Sequence, residues 1–204
     1  MVYIDSAVRS RQIIAAARAV LTRDGVARTT IRAVADEARI PLGTLQHVFP
    51  TKQKLLRAVT EDVVEEIAEV LRNSADLDGG LEHAIRQGVR EFWRSLVVDE
   101  NNLQLVQLEL VVQSLRTEGL EDLARWQYRR YTEVVAQWCE QAAVRAQETC
   151  AVGYQRLARL IIAGVDGLIV QYVVDPDADR AEEDLDALVD MVIGRAAVRA
   201  GSAD

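Results

Sequence analysis

Apolar residues recur at helical spacing along the whole chain. Ile13, Ala17, Val20 and Leu21 mark one face of a first segment, and Ile31, Val34, Ala35 and Ala38 mark one face of a second. No stretch alternates apolar and polar residues between turn signals, as a strand would. The three prolines sit at punctuation points: Pro41 and Pro50 bracket a short segment, and Pro176 closes a long apolar one. The pattern predicts an all-α chain of nine helices, over residues 7–24, 30–37, 41–48, 52–73, 80–98, 101–116, 120–147, 152–174 and 180–198. Gly25, the Gly79-Gly80 pair, Gly119 and Asp175-Pro176 mark the breaks. Asp179, with Glu182 three residues on, reads as the N-terminal cap of the last helix. A short polar tail follows at Gly201–Asp204.

The second and third helices are brief, and about three residues, Ala38-Arg39-Ile40, join them. Helices of that length are unstable alone and must pack on neighbours. Ile31, Val34 and Ala38 supply the inward face of one, and Leu45, Val48 and Phe49 that of the other, with the small Ala35 where the helices cross. Two short helices joined this way form a helix-turn-helix, whose second helix enters the DNA major groove. The outward positions Leu42, Gly43, Thr44, Gln46 and His47 suit that task. A glutamine reads adenine bidentately, and threonine or leucine meets a thymine methyl. Gly43 costs a helix about 1 kcal/mol against alanine; it fits either a close approach to another molecule or a helix–helix contact.

Thr51 reads as the cap of the fourth helix, yet Lys52 and Lys54 stand in its first turn, where the helix dipole disfavours cations. A phosphate bound there by backbone N–H groups and lysines would resolve the conflict. Thr29, Thr30 and Arg32 could hold a second phosphate at the start of helix two.

Charge sharpens this reading. The whole chain carries a net charge of −8, which taken alone argues against a nucleic-acid binder. The first 60 residues, however, hold ten basic residues against four acidic ones, leaving fourteen basic and twenty-eight acidic for the rest. One end suits a polyanion and the other does not.

The run Thr29-Thr30-Ile31-Arg32-Ala33-Val34-Ala35, followed by Gly43-Thr44-Leu45-Gln46-His47-Val48-Phe49-Pro50-Thr51-Lys52, resembles the DNA-binding signature of the TetR (tetracycline-repressor) family. The preceding Leu21-Thr22-Arg23-Asp24-Gly25-Val26 is similar to the end of that family's first helix and its glycine stop. The resemblance covers about residues 9–57 and implies phosphate contacts by Thr30, His47 and Lys52, and base contacts by Arg32, Thr44 and Gln46. Departures occur at Arg39, where the family usually has glycine, and at Pro41, where serine or threonine is usual. Leu42, Gln46 and Val48 also depart from it. If Arg39 must adopt positive φ, it carries backbone strain of about 1–2 kcal/mol. These differences bear on which operator is read rather than on the mode of reading.

The resemblance divides the chain into a DNA-binding domain over 1–51 and a helical ligand-binding and dimerisation domain over 52–204. Helix eight is apolar nearly all round, so it is expected to be buried on every side. With helix nine it resembles the family's dimerising hairpin, making Ile161, Val165, Leu168, Tyr172, Leu185, Leu188 and Val192 dimer-interface candidates. A homodimer would set two recognition helices in successive major grooves of a near-palindromic operator. Helices five to seven hold most of the aromatics: Phe92, Trp93, Trp126, Tyr128, Tyr131 and Trp138. Phe92, Trp93, Gln104, Gln107, Trp126, Tyr131, Trp138 and Asp166 are candidates for an apolar or aromatic effector's pocket, or for ordinary core.

Other function classes fit less well. There is no glycine-rich phosphate loop, G-x-S-x-G elbow or metal-spaced His/Cys cluster, so neither enzyme nor cofactor is expected. Cys139 and Cys150 read as buried thiols. The first ten residues lack an apolar segment, and Asp166 interrupts the apolar run 160–174, so a cytoplasmic chain without a membrane span is expected. A helical protein-interaction module remains the alternative, as does a DNA-binding regulator without small-molecule control.

Overall fold

The computed structural model describes residues 6–98 and 101–200. Its helices are α1 (Ser6–Arg28), α2 (Ile31–Glu37), α3 (Leu42–Val48), α4 (Lys52–Ser74), α5 (Gly80–Trp93), α6 (Asn101–Arg116), α7 (Glu121–Arg145), α8 (Tyr154–Val174) and α9 (Ala178–Ala196). The predicted all-α architecture is therefore found. Two additions are small. The segment predicted to continue α5 to residue 98 becomes a π-helical turn at Arg94–Val98, and Gln104 donates a hydrogen bond to its Leu96 carbonyl at 2.8 Å. Residues Glu148–Thr149 (β1) and Arg199–Ala200 (β2) pair antiparallel, a contact between short segments that no alternation could announce. The expected tail at Gly201–Asp204 lies outside the described residues.

The chain forms two units. One holds α1 to α3, α4 as far as Glu65, and Leu105–Gln127. The other holds α4 from Glu66, α5, the π turn, α6 as far as Gln104, α7 from Tyr128, α8 and α9. Three long helices, α4, α6 and α7, thus belong partly to each.

In the first unit, α1 carries a break at Gly25 (φ 76°, ψ 166°), a conformation almost restricted to glycine. The Val26 N–H freed there donates to the Glu109 carboxylate of α6 at 2.7 Å. A β-carbon on Gly25 would sit 3.3 Å from the same carboxylate. Gly25→Ala is expected to cost about 1–3 kcal/mol in backbone strain, read as a lower urea midpoint; an unchanged midpoint would show that the break relaxes freely.

In the second unit, α8 and α9 form an antiparallel pair. Leu157, Ala158, Ile161, Val165 and Ile169 of α8 are buried together with Ala181, Leu185, Val189, Val192 and Ala196 of α9. Helix α8 is long and apolar enough to cross a membrane by length and composition, but its inward face is part of this core. The α9 cap is Asp177, whose carboxylate accepts from the Arg180 N–H at 3.0 Å, rather than Asp179. The helix starts two residues earlier than expected because Asp177 is the residue with extended backbone (φ −141°), the geometry a cap needs.

Candidate nucleic-acid interface and effector cavity

The helix-turn-helix is built as the sequence predicts. Val34, Ala35, Ala38, Ile40, Leu45 and Phe49 are buried, as are Ile13, Ala17, Val20 and Leu21 of α1; Ile31 and Val48 are half-buried at the edge. The α2 cap is Thr30, whose hydroxyl accepts from the Ala33 N–H at 3.1 Å. The turn runs through Arg39 at φ 54°, the left-handed conformation expected where related sequences place glycine. Hydrogen bonds from Arg39 N to Asp36 O (3.1 Å) and Ile40 N to Ala35 O (3.0 Å) close it. Gln12 of α1 adds a bond to the Ala38 carbonyl at 2.8 Å, a brace that 26 residues of separation hide from sequence reading. Pro41 starts α3 without a side-chain cap.

The face left over is open to solvent. Gly43, Gln46 and His47 are exposed, with Leu42 and Thr44 half-exposed beside them. A β-carbon added to Gly43 would meet nothing within 4 Å. Gly43 therefore makes no close helix–helix contact among the described residues. Arg32 and Thr30 are exposed at the start of α2. Thr29 does not share this face. It is 3% exposed, and its hydroxyl donates to the Gly25 carbonyl at 2.8 Å, so its polar group serves the α1 break and not a phosphate.

Thr51 caps α4 as expected, accepting from the Lys54 N–H at 3.2 Å. Lys52 reaches back across the unit, and its ammonium donates to the Val26 carbonyl at 3.0 Å. Partial burial holds its pKa below the ordinary lysine value. An ammonium has three donors, so this bond fixes the side chain and leaves donors for an anion. Val26 is thus held twice, by Lys52 through its carbonyl and by Glu109 through its N–H. Glu109 is the residue sequence reasoning missed, because nothing local to α6 marks a partner 83 residues away.

In the second unit, a cavity of about 530 Å³ opens between α7 and α8. Tyr128 and Thr132 of α7 and Ile162 and Asp166 of α8 form its wall, with Arg129, Glu133, Gln155 and Arg159 at exposed positions around it. Burial pushes the Asp166 carboxyl up to about 6, against the opposing effect of a hydrogen bond from the Tyr128 hydroxyl. The Tyr128 hydroxyl is itself pushed well above the ordinary tyrosine value, by burial first and then by the neighbouring carboxylate.

Of the eight pocket candidates, one lines this cavity. Gln107 and Trp126 fall in the first unit, and of the rest only Asp166 lines this cavity. Phe92, Trp93, Tyr131 and Trp138 are buried core. Trp93 stacks edge-to-face on Tyr172 at 5.7 Å, and the Gln104 amide is spent on the π turn. Helical periodicity finds the buried aromatics but does not say which face lines a void. Cys139 is buried as predicted and its pKa is raised, mainly by desolvation; Cys150 is half-buried, and its thiol donates to the Ala196 carbonyl at 3.4 Å.

Four of the seven dimer candidates are taken up by their own chain. Ile161, Val165, Leu185 and Val192 are all under 7% exposed inside their own chain. Tyr172 packs on Trp93, and Leu188 lies over Gly164, where a β-carbon would sit 2.4 Å from its Cδ1. Leu168 is half-buried. The apolar positions left outward are Leu160, Val170 and Val174 of α8 and Met191 of α9.

An exposed recognition helix on a buried helix-turn-helix core, joined to a larger helical unit, defines a DNA-binding transcriptional regulator. Residues 13–59 match the bacterial regulatory proteins of the tetR family, and residues 82–195 match the tetracyclin repressor-like C-terminal domain. The chain belongs to the TetR family. It is 29% identical, over 94% of its length and 97% of the relative's, to the HTH-type nicotine-responsive transcriptional repressor HdnoR of Paenarthrobacter nicotinovorans. Its fold is similar to that of a transcriptional regulator from Rhodococcus (TM-score 0.75, 18% identity, 91% of this chain and 96% of that one). A TetR transcription regulator from Haloarcula marismortui is similar too (TM-score 0.75, 19% identity, 93% and 97%). SmeT, the repressor of the Stenotrophomonas maltophilia multidrug efflux pump SmeDEF, gives a TM-score of 0.67 at 22% identity, over 91% and 88% of the two chains.

Proposed function

We propose that this regulator is a cytoplasmic repressor that binds a near-palindromic operator as a homodimer and leaves it when a small molecule enters the larger unit. The observation that carries the DNA-reading part is the outward face of α3, where Gln46, His47 and the uncrowded Gly43 stand open above a buried core. Base contacts fall to Arg32, Thr44 and Gln46, with Leu42 and Gly43 against the groove. Phosphate contacts fall to Thr30, His47 and Lys52. The dimer forms through the outward side of α8 and α9, around Leu160, Val174 and Met191, which are 40–79% exposed in the single chain. Release follows from α4, whose Leu55, Leu56 and Val59 are buried in the reading unit and whose C-terminal part belongs to the other. An effector that favours one setting of this helix shifts the affinity for DNA, and one that binds both settings equally does nothing. HdnoR is named for its response to nicotine, which supports an aromatic or apolar effector for this chain.

The test is selection from random duplexes with the purified protein at two salt concentrations. Enrichment of a palindrome with half-sites about one helical turn apart is expected; salt-sensitive background binding alone would overturn the reading. On the selected site, Gln46→Ala is expected to weaken binding by about 1–3 kcal/mol and relax base choice at one position. A mutant with unchanged sequence preference would remove Gln46 from the reading set. Lys52→Ala is expected to weaken all sequences alike and to reduce the salt slope by about one; an unaltered slope would show that its ammonium serves Val26 alone.

A further inference from the structure

We propose that the cavity between α7 and α8 binds a small organic cation, with the Asp166 carboxylate as its counter-ion and the Tyr128 ring and Ile162 as its apolar bed. The proposal rests on the effector reading above and names the chemistry of the ligand. Its basis is an imbalance in how the charges around the cavity are solvated. Asp166 is half-buried in the cavity wall, and among the described residues its donor is the Tyr128 hydroxyl of the same wall. A carboxylate can accept about four hydrogen bonds, so one donor leaves acceptor capacity for a ligand in the cavity that Asp166 lines. Arg129 and Arg159 on the rim are exposed, as is Glu133 of opposite sign. Charges held in water are screened over about 8–10 Å, whereas a desolvated carboxylate interacts far more strongly with an ion placed beside it. An entering ammonium would replace the solvation that Asp166 has lost and would lie near the face of an aromatic ring, which attracts cations. An anion would find only the solvated rim arginines and would meet Asp166 as a like charge.

The cavity is of a size that takes a drug-sized molecule. Ile162 and Ala163 supply apolar surface along α8, and the Thr132 hydroxyl is already spent on the Tyr128 carbonyl. The titratable and charged groups that line the cavity with Asp166 are Tyr128, Arg129 and Glu133 from α7 and Arg159 from α8. The Tyr128 hydroxyl, pushed above the ordinary tyrosine value by burial, keeps its proton through the physiological range. Binding should thus weaken below about pH 6 as the Asp166 carboxyl takes up its proton.

The experiment uses the full chain and three probes that share one skeleton: 3-phenylpropylammonium, 3-phenylpropanol and 3-phenylpropanoate, titrated by calorimetry at pH 7.5 and pH 5. Saturable binding of the ammonium, at least tenfold tighter than the alcohol or the carboxylate, is expected at pH 7.5. The preference should shrink at pH 5 and be lost in Asp166→Asn, a variant that keeps an oxygen for Tyr128 and removes the charge. Equal binding of the three probes, tighter binding of the carboxylate, absence of saturable binding, or an Asp166→Asn variant that keeps the preference would each overturn the proposal. The duplex selection above is run on the same preparation, so the two readings fail separately. Enrichment of an operator without cation binding refutes only the ligand class, whereas cation binding without an operator refutes the regulator reading.

Discussion

Leu45→Ala is expected to destabilise the reading unit by about 2–5 kcal/mol, enough to unfold a large fraction of it at 37 °C. Leu45 is 0% exposed and is the one fully buried side chain of α3, a helix of seven residues. A helix that short has little stability of its own and is held by what it buries. Removing three carbons at its centre loses their transfer energy and leaves a void that Val34 and Phe49 cannot fill without shifting the turn. Urea melts followed by circular dichroism would show the loss. Limited proteolysis should place early cuts between residues 38 and 51, while α8 and α9 remain protected. Leu45→Met, nearly equal in volume, should cost less than about 1.5 kcal/mol. If Leu45→Ala melts like the parent, α3 is not held by this side chain, and the account of the reading unit fails.

Asp166→Asn is expected to stabilise the protein by about 2–3 kcal/mol at pH 8, the equivalent of the gap between an ordinary aspartate and a carboxyl at about 6. The direction follows from the cause. Burial raises the folded-state pKa, so between the unfolded value near 4 and about 6 the folded chain binds more protons than the unfolded one. Stability from this group is fully present below pH 4 and is lost as pH rises through 6. The parent should therefore lose stability between pH 4 and 7 by this amount relative to Asp166→Asn, whose curve lacks the step. Thermal melts of the two proteins across that range give the difference directly. Parallel curves would mean that Asp166 is well solvated, which would also weaken the case for a cation beside it. A regulator that carries a costly charge in its larger unit has sacrificed stability at a site where a ligand can restore it, as functional sites commonly do.

Particular residues show how far the sequence reaches. Pro41, Pro50, Thr51 and Gly25 each act within a few residues of themselves, by fixing φ, withholding a donor, capping or permitting positive φ. The helix ends they announce lie within a few residues of those observed. The positive φ of Arg39 was expected from the resemblance, in which glycine is usual at that position. Asp177 in place of Asp179 marks the limit of such local reading, since both are acidic and only the extended backbone at 177 settles which one caps.

The outward face of α3 was legible by subtraction, because the positions that must be buried are few and apolar. That method fails for α8. Apolar residues surround it, so Ile161 and Leu160 look alike in the sequence, yet one is 4% and the other 40% exposed. The same ambiguity left Phe92, Trp93 and Trp138 open between pocket and core, where the structure buries them, and passed over Ile162 at the cavity wall.

By itself the sequence determined the nine helices of the described residues, the helix-turn-helix and the outward face of α3, because periodicity, capping and turn chemistry act over a few residues. Only the tertiary structure decided that Glu109 and Lys52 hold Val26 from two sides. It also decided that Thr29 turns inward, which face of α8 is buried, and that Asp166 stands beside Tyr128 at a cavity. Each of these depends on which segments, tens of residues apart, come to lie together, and burial and hydrogen bonding act on that proximity whatever the spacing along the chain.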